Sequence, residues 1–125
     1  IFRRELTAGC PMNTNAPCAL VDNDSDLIER LKAGDRVVVL FYASWCPFCA
    51  RFLPIFQRHA GMEGMHFVLA QDDAEMLAPR YAVEVYPTVL LFEKGALSER
   101  LDGAPGVGLN EEKLLAFLSR EPSVQ

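Results

Sequence analysis

Two cysteines separated by two residues, Cys46 and Cys49, have the residue type and spacing for redox chemistry. A thiol attacks a disulfide only as its thiolate, and the start of a helix offers free N–H groups and a partial positive charge that stabilise an anion. Cys46 follows an apolar run and precedes a helical pattern, and Pro47 suits the first helical position because its missing N–H needs no partner there. The spacing therefore predicts that Cys46 is the nucleophile and that Cys49, one turn later, resolves the mixed disulfide.

Two further cysteines, Cys10 and Cys18, enclose a segment rich in Pro, Asn and Thr. A disulfide between them would close a small loop and contribute about 2.5 kcal/mol by restricting the unfolded chain. The alternatives are a second redox-active pair, regulatory thiols, or a metal site shared with Cys46 and Cys49, for which a gap of seven residues is poor spacing. We predict a structural disulfide and no metal or other cofactor.

The composition is that of an ordinary globular chain: 125 residues, of which 50% are apolar, suffice for one domain with its own core. Because 17 acidic residues outnumber 12 basic ones, the net charge is −5 and gives no reason to expect nucleic acid as a partner. The longest apolar run, 37–45, is far shorter than the ~20 residues that a membrane-spanning helix needs. We expect protein partners, no membrane span and a monomer.

Apolar periodicity predicts the order β-α-β-α-β-α-β-β-α. The strands are expected at 19–21, 36–43, 65–70, 89–92 and 97–101, and the helices from residue 24 or 25 to 34, at 47–59, at 74–81 and after the cap Asn110. Asp72 and Asp73 are interpreted as a solvated turn that caps the third helix. The expected domain is 18–122, with an N-terminal extension at 1–17 and a frayed end at 123–125.

Five features, in this order and spacing, resemble the thioredoxin family. They are the segment 41–49 with Trp45 before the first cysteine, Pro54 inside the following helix, Tyr86-Pro87-Thr88, the hairpin 92–95, and Gly103-Ala104. The resemblance implies an α/β thioredoxin fold, with a central mixed β-sheet flanked by helices. It also implies that Pro87 is cis and packs against the cysteine pair, and that the Tyr86 backbone pairs with an extended substrate.

Two positions depart from the pattern of typical thioredoxins. Leu40 occupies the place of a buried Asp that is thought to take the proton of the resolving thiol, so its absence should slow release of the mixed disulfide. Pro47-Phe48 between the cysteines is more like glutaredoxins and the periplasmic disulfide oxidases. We expect Trp45 and Phe48 to be exposed beside the nucleophile and to contact substrate.

The sequence thus predicts a thiol:disulfide oxidoreductase that acts on protein dithiols or disulfides and is recycled by a redox partner the sequence does not identify. A glutathione-dependent reductase of the glutaredoxin kind, a redox-inactive binding module and a metal or iron–sulfur carrier are the alternatives. Because the first residue is Ile1 rather than Met, a removed signal or an upstream anchor stays open. The compartment stays open with it, between the cytoplasm and export to a bacterial periplasm.

Overall fold

The structure is a computed structural model that describes residues 18–60 and 65–119. The predicted N-terminal extension with Cys10 and the frayed C-terminus lie outside the described residues. The elements in chain order are β1 (Cys18–Val21), α1 (Asp24–Leu31), β2 (Arg36–Tyr42), α2 (Pro47–Arg58), β3 (His66–Gln71), a 3₁₀ helix (Ala78–Tyr81), β4 (Thr88–Glu93), β5 (Ala96–Asp102) and α3 (Glu111–Leu118). The predicted order is confirmed, with one helix reduced to a 3₁₀ turn.

The five strands form one mixed sheet in the order β1-β3-β2-β4-β5. Strands β1, β3 and β2 run parallel, and β4 and β5 are antiparallel to their neighbours. β2 lies at the centre and is buried from Val37 to Tyr42, as its continuous apolar run predicts. The predicted central mixed β-sheet flanked by helices is confirmed, and the chain leaves the carboxyl end of this central strand into the loop that leads to the cysteine pair.

Alternation along the strands divides the core into two apolar clusters. The first contains Leu40, the two cysteines and the inward residues of α2 and α3. The second contains Val39, Phe41, the inward residues of α1 and the start of the 3₁₀ helix. In the described parts of the chain, no helix is long and apolar enough to cross a membrane.

The helix boundaries follow local chemistry, with two corrections. Asn110 caps α3 as predicted, but α1 is capped by Asn23, one residue before the predicted start, because the Asn23 side chain accepts the N–H of Asp26 at 2.8 Å. The predicted helix 74–81 is wrong in its first half: residues 74–77 form turns, and only the last turn is helical. The Asp72 carboxylate accepts hydrogen bonds from the N–H groups of Met76, Leu77 and Ala78, which explains why this segment is not helical.

Candidate redox site

Cys46 is the N-cap of α2, with an extended backbone (φ −97°, ψ 117°), and Pro47 is the first helical residue. The Cys46 Sγ accepts the backbone N–H of Cys49 at 3.4 Å. This is the contact that the free N–H groups of a helix start offer to an anion. Cys46 is 6% exposed and Pro47 beside it is exposed, so the thiol lies just below the surface.

Cys49 is more deeply placed, at 2% exposure, one turn into α2. Burial raises the pKa of its thiol to about 12, with a smaller rise from Cys46, although the Ala43 backbone lowers it in part. Leu40 is fully buried in the same apolar cluster, so the position that carries an acid in typical thioredoxins supplies no proton acceptor. Cys49 is therefore a protonated thiol at neutral pH, and both cysteines are free.

The segment opposite the cysteines contains the cis peptide bond between Tyr86 and Pro87 that the resemblance predicts. The Cys46 thiol donates to the Tyr86 carbonyl at 3.7 Å. Thr88 closes the turn by donating its hydroxyl to the Val85 carbonyl at 2.8 Å. Gly103 packs so closely on the Pro87 carbonyl that a Cβ there would collide with it. The late glycine of the family pattern thus has a packing reason.

The two aromatic residues that flank the nucleophile differ in exposure. Trp45 is 56% exposed, as predicted, and its ring meets that of Tyr86 in a T-shaped contact with centroids 5.8 Å apart. The predicted exposure of Phe48 is wrong: it is half-buried and packs against the first cluster. Its Cβ lies against Gly108, and the Arg51 guanidinium lies 5.6 Å from the ring centroid, so helix and loop cover it.

Two aspartates after β3 reach the site, although the sequence indicated only a solvated turn. Asp73 is exposed and accepts the Ser44 N–H and hydroxyl, both at 2.7 Å, while its carbonyl accepts the Trp45 indole N–H at 3.2 Å. The hydrogen bonds from Ser44, followed by one from Gln71, lower the pKa of Asp73. Asp73 therefore holds the loop that leads into Cys46.

Asp72 is only 2% exposed, which corrects the prediction of a solvated turn. Its carboxylate accepts four hydrogen bonds at 2.7–2.9 Å, from the N–H groups of Met76, Leu77 and Ala78 and from the Tyr86 hydroxyl. Burial alone would raise the pKa of Asp72, but these hydrogen bonds outweigh it and leave the pKa below the ordinary carboxyl value. The hydrogen bonds from the backbone N–H groups that follow Asp72 are local along the chain. The hydrogen bond from Tyr86 spans 14 residues, and no local sequence signal predicts it.

The predicted bridge between Cys10 and Cys18 stays a prediction, because Cys10 and the side chain of Cys18 lie outside what the structure describes. Within residues 18–60 and 65–119, no three His, Cys, Asp or Glu side chains are grouped as a metal site would require.

The comparisons with known proteins agree with this fold and site. The thioredoxin family model matches residues 19–120, and the chain belongs to the thioredoxin family. The thioredoxin of Acidithiobacillus ferridurans is 33% identical over 104 residues, covering 81% of this chain and 93% of that relative. Protein disulfide-isomerase A5 of Bos taurus is 37% identical over 81 residues, covering 60% of this chain but only 16% of the relative.

Solved structures show the same fold. A thioredoxin from Plasmodium falciparum superposes with a TM-score of 0.71 at 20% identity, covering 80% of this chain and 95% of that one. A mutant thioredoxin from Halobacterium salinarum superposes with a TM-score of 0.68 at 24% identity, covering 89% of this chain and 91% of that one. At these identities, the likeness is one of fold.

Proposed function

We propose that this chain is a thiol:disulfide oxidoreductase that exchanges disulfides with polypeptide substrates through Cys46 and Cys49. The observation that carries the proposal is the position of Cys46 at the N-cap of α2, with its Sγ accepting the Cys49 N–H. Membership of the thioredoxin family supports the reaction class, and the relatives named thioredoxin and protein disulfide-isomerase support protein substrates.

In the reducing direction, the Cys46 thiolate attacks one sulfur of a substrate disulfide. A Cys46–substrate disulfide forms, and the other substrate sulfur leaves as a thiolate that takes a proton. Cys49 then loses its proton and attacks the Cys46 Sγ, which forms the Cys46–Cys49 disulfide and releases the second substrate thiol. The substrate gains two electrons, which a recycling partner returns to the protein; the oxidising direction is the reverse.

The raised pKa of Cys49 supports the proposed order of attack. A thiol with a pKa of about 12 is almost entirely protonated at neutral pH, so Cys46 is the attacking sulfur and Cys49 acts only after the mixed disulfide has formed. Because Leu40 offers no acceptor, we propose that the Cys49 proton passes to water or to the departing thiolate. Trp45, Pro47, Phe48, Tyr86 and Pro87 are proposed to form the surface that receives the substrate.

The test is the reduction of insulin disulfides by dithiothreitol with catalytic amounts of the protein. The wild type should accelerate the reaction, and Cys46→Ser should reduce it to the rate without protein. A Cys10→Ser/Cys18→Ser double variant is the matched control and should keep the wild-type rate. Equal rates for the wild type and Cys46→Ser would contradict an enzymatic role and favour a redox-inactive binding module.

A further inference from the structure

Asp72 is a buried carboxylate that is not part of the redox pair but is hydrogen-bonded to Tyr86. Burying a charge is costly unless hydrogen bonds satisfy it, and here four donors do so. Three of them are backbone N–H groups of the turn that follows, which is an ordinary capping arrangement. The fourth is the Tyr86 hydroxyl, which belongs to the segment facing Cys46.

Tyr86 connects this carboxylate to the nucleophile. Its hydroxyl donates to Asp72 at 2.7 Å, its carbonyl accepts the Cys46 thiol at 3.7 Å, and its ring packs against both apolar clusters. Only two side-chain torsions separate the hydroxyl from the backbone of a tyrosine. Fixing the hydroxyl therefore restricts the position of the carbonyl next to Cys46.

Asp72 is itself fixed to the strand that leads to the nucleophile. Its backbone N–H donates to the Tyr42 carbonyl at 2.8 Å, at the end of β2. Cys46 follows Tyr42 by four residues along the chain. Asp72 thus ties together the two segments whose separation sets the geometry of the site, the end of β2 and the Tyr86–Pro87 turn.

We propose that Asp72 is a positioning residue for disulfide exchange, which acts by holding the Tyr86 hydroxyl so that the Tyr86 backbone stays in place to pair with a polypeptide beside Cys46. The inference rests on the proposed function, since Tyr86 must receive substrate for its position to matter. It predicts that loss of the hydroxyl affects polypeptide disulfides, which use the backbone at Tyr86, and spares small disulfides, which do not.

The test compares two substrates in wild type and Tyr86→Phe, which removes only the hydroxyl. Weaker pairing of the Tyr86 backbone with the polypeptide, equivalent to one hydrogen bond of about 1 kcal/mol, should lower kcat/KM for insulin disulfides roughly fivefold. The second-order rate of the reduced protein with 5,5′-dithiobis(2-nitrobenzoate), a small disulfide, should fall by a smaller factor than the insulin value, because this probe does not pair with the Tyr86 backbone and Cys46 keeps its helix N-terminus.

Tyr81→Phe is the matched control. The Tyr81 hydroxyl donates to Asp24 at 2.8 Å, and it too lies in a half-buried tyrosine–aspartate pair, but at the junction of α1 and the 3₁₀ helix. The variant should leave both rates within about twofold of the wild type. Asp72→Asn should show the substrate split of Tyr86→Phe, and adding Tyr86→Phe to it should cost less than the sum of the two single effects.

An unchanged kcat/KM for insulin in Tyr86→Phe, or an equal loss with both substrates, would overturn the proposal. If Asp72→Asn does not fold, Tyr86→Phe alone decides the question. Failure of the proposed function looks different, because the wild type itself would then reduce insulin no faster than Cys46→Ser.

Discussion

Residues 18–60 and 65–119 contain two tyrosine–aspartate pairs with similar hydrogen-bond lengths and different surroundings. Tyr81 donates to Asp24 at 2.8 Å, and Tyr86 donates to Asp72 at 2.7 Å. In each pair, burial is the larger cause and the carboxylate the smaller cause of a raised pKa of the tyrosine hydroxyl. The pKa of Tyr81 rises to about 12. The hydrogen bond itself therefore does not distinguish the two pairs. The pairs differ in the other groups that the aspartate and the tyrosine of each pair contact.

Asp24 opens α1, keeps a quarter of its side chain exposed and lies 3.5 Å from the Arg80 guanidinium. The Tyr81 ring packs on Phe41 and Phe92 in the second cluster, away from the cysteines. This pair fastens the 3₁₀ helix to α1. Asp72 is buried, holds three backbone N–H groups and reaches the segment that faces Cys46. The same chemistry stabilises the fold in one place and, we infer, orients the site in the other.

Replacing the two aspartates by asparagine should give the largest difference between the pairs. Asp72→Asn turns an amide N–H₂ towards donors that the carboxylate satisfies in the wild type, and we expect it to cost about 2 kcal/mol of unfolding free energy. Asp24→Asn alters a partly exposed pair and should cost less than about 1 kcal/mol. Urea denaturation measures both, and equal losses would remove the energetic distinction between the pairs.

Acid should remove the contribution of Asp72 to stability. The pKa of Asp72 is lower in the folded protein, so its ionised form contributes stability above the ordinary carboxyl pKa, and that contribution disappears as the pH falls through the lowered value. The stability gap between the wild type and Asp72→Asn should be constant from neutral pH to about pH 5 and shrink below about pH 4. Denaturation midpoints at a series of pH values test this. A gap that widened in acid would mean that Asp72 is not ionised in the folded protein.

The smallest effect on activity is expected from Tyr81→Phe. The loss of one partly solvated hydrogen bond should reduce the unfolding free energy by about 1 kcal/mol. Because Tyr81 packs against the second cluster and the cysteines belong to the first, insulin reduction should stay within about twofold of the wild type. A loss of activity in Tyr81→Phe larger than in Tyr86→Phe would reverse the roles assigned to the two pairs.

The sequence was informative where the relevant chemistry is local. The cysteine spacing, Pro47 at the helix start and the Asn110 cap each depend on neighbours within a turn, and the structure has them as predicted. The place of Pro87 opposite Cys46 came from the family pattern. The 74–77 region could not be predicted, because a side chain six residues away from Ala78 competes for its N–H. The Tyr86 bond to Asp72 depends on the tertiary fold, and the covering of Phe48 depends on a distant loop at Gly108.

The roles of Cys46 and Cys49 are tested most directly by trapping the mixed disulfide. Cys49→Ser incubated with oxidised insulin should accumulate a covalent adduct through Cys46, visible by intact mass and released by dithiothreitol, because no resolving thiol remains. Cys46→Ser should form no comparable adduct at neutral pH, since Cys49 is protonated. Adducts formed equally well by Cys46→Ser would contradict the assignment. Full turnover of Cys49→Ser with glutathione would instead show the monothiol chemistry of a glutaredoxin.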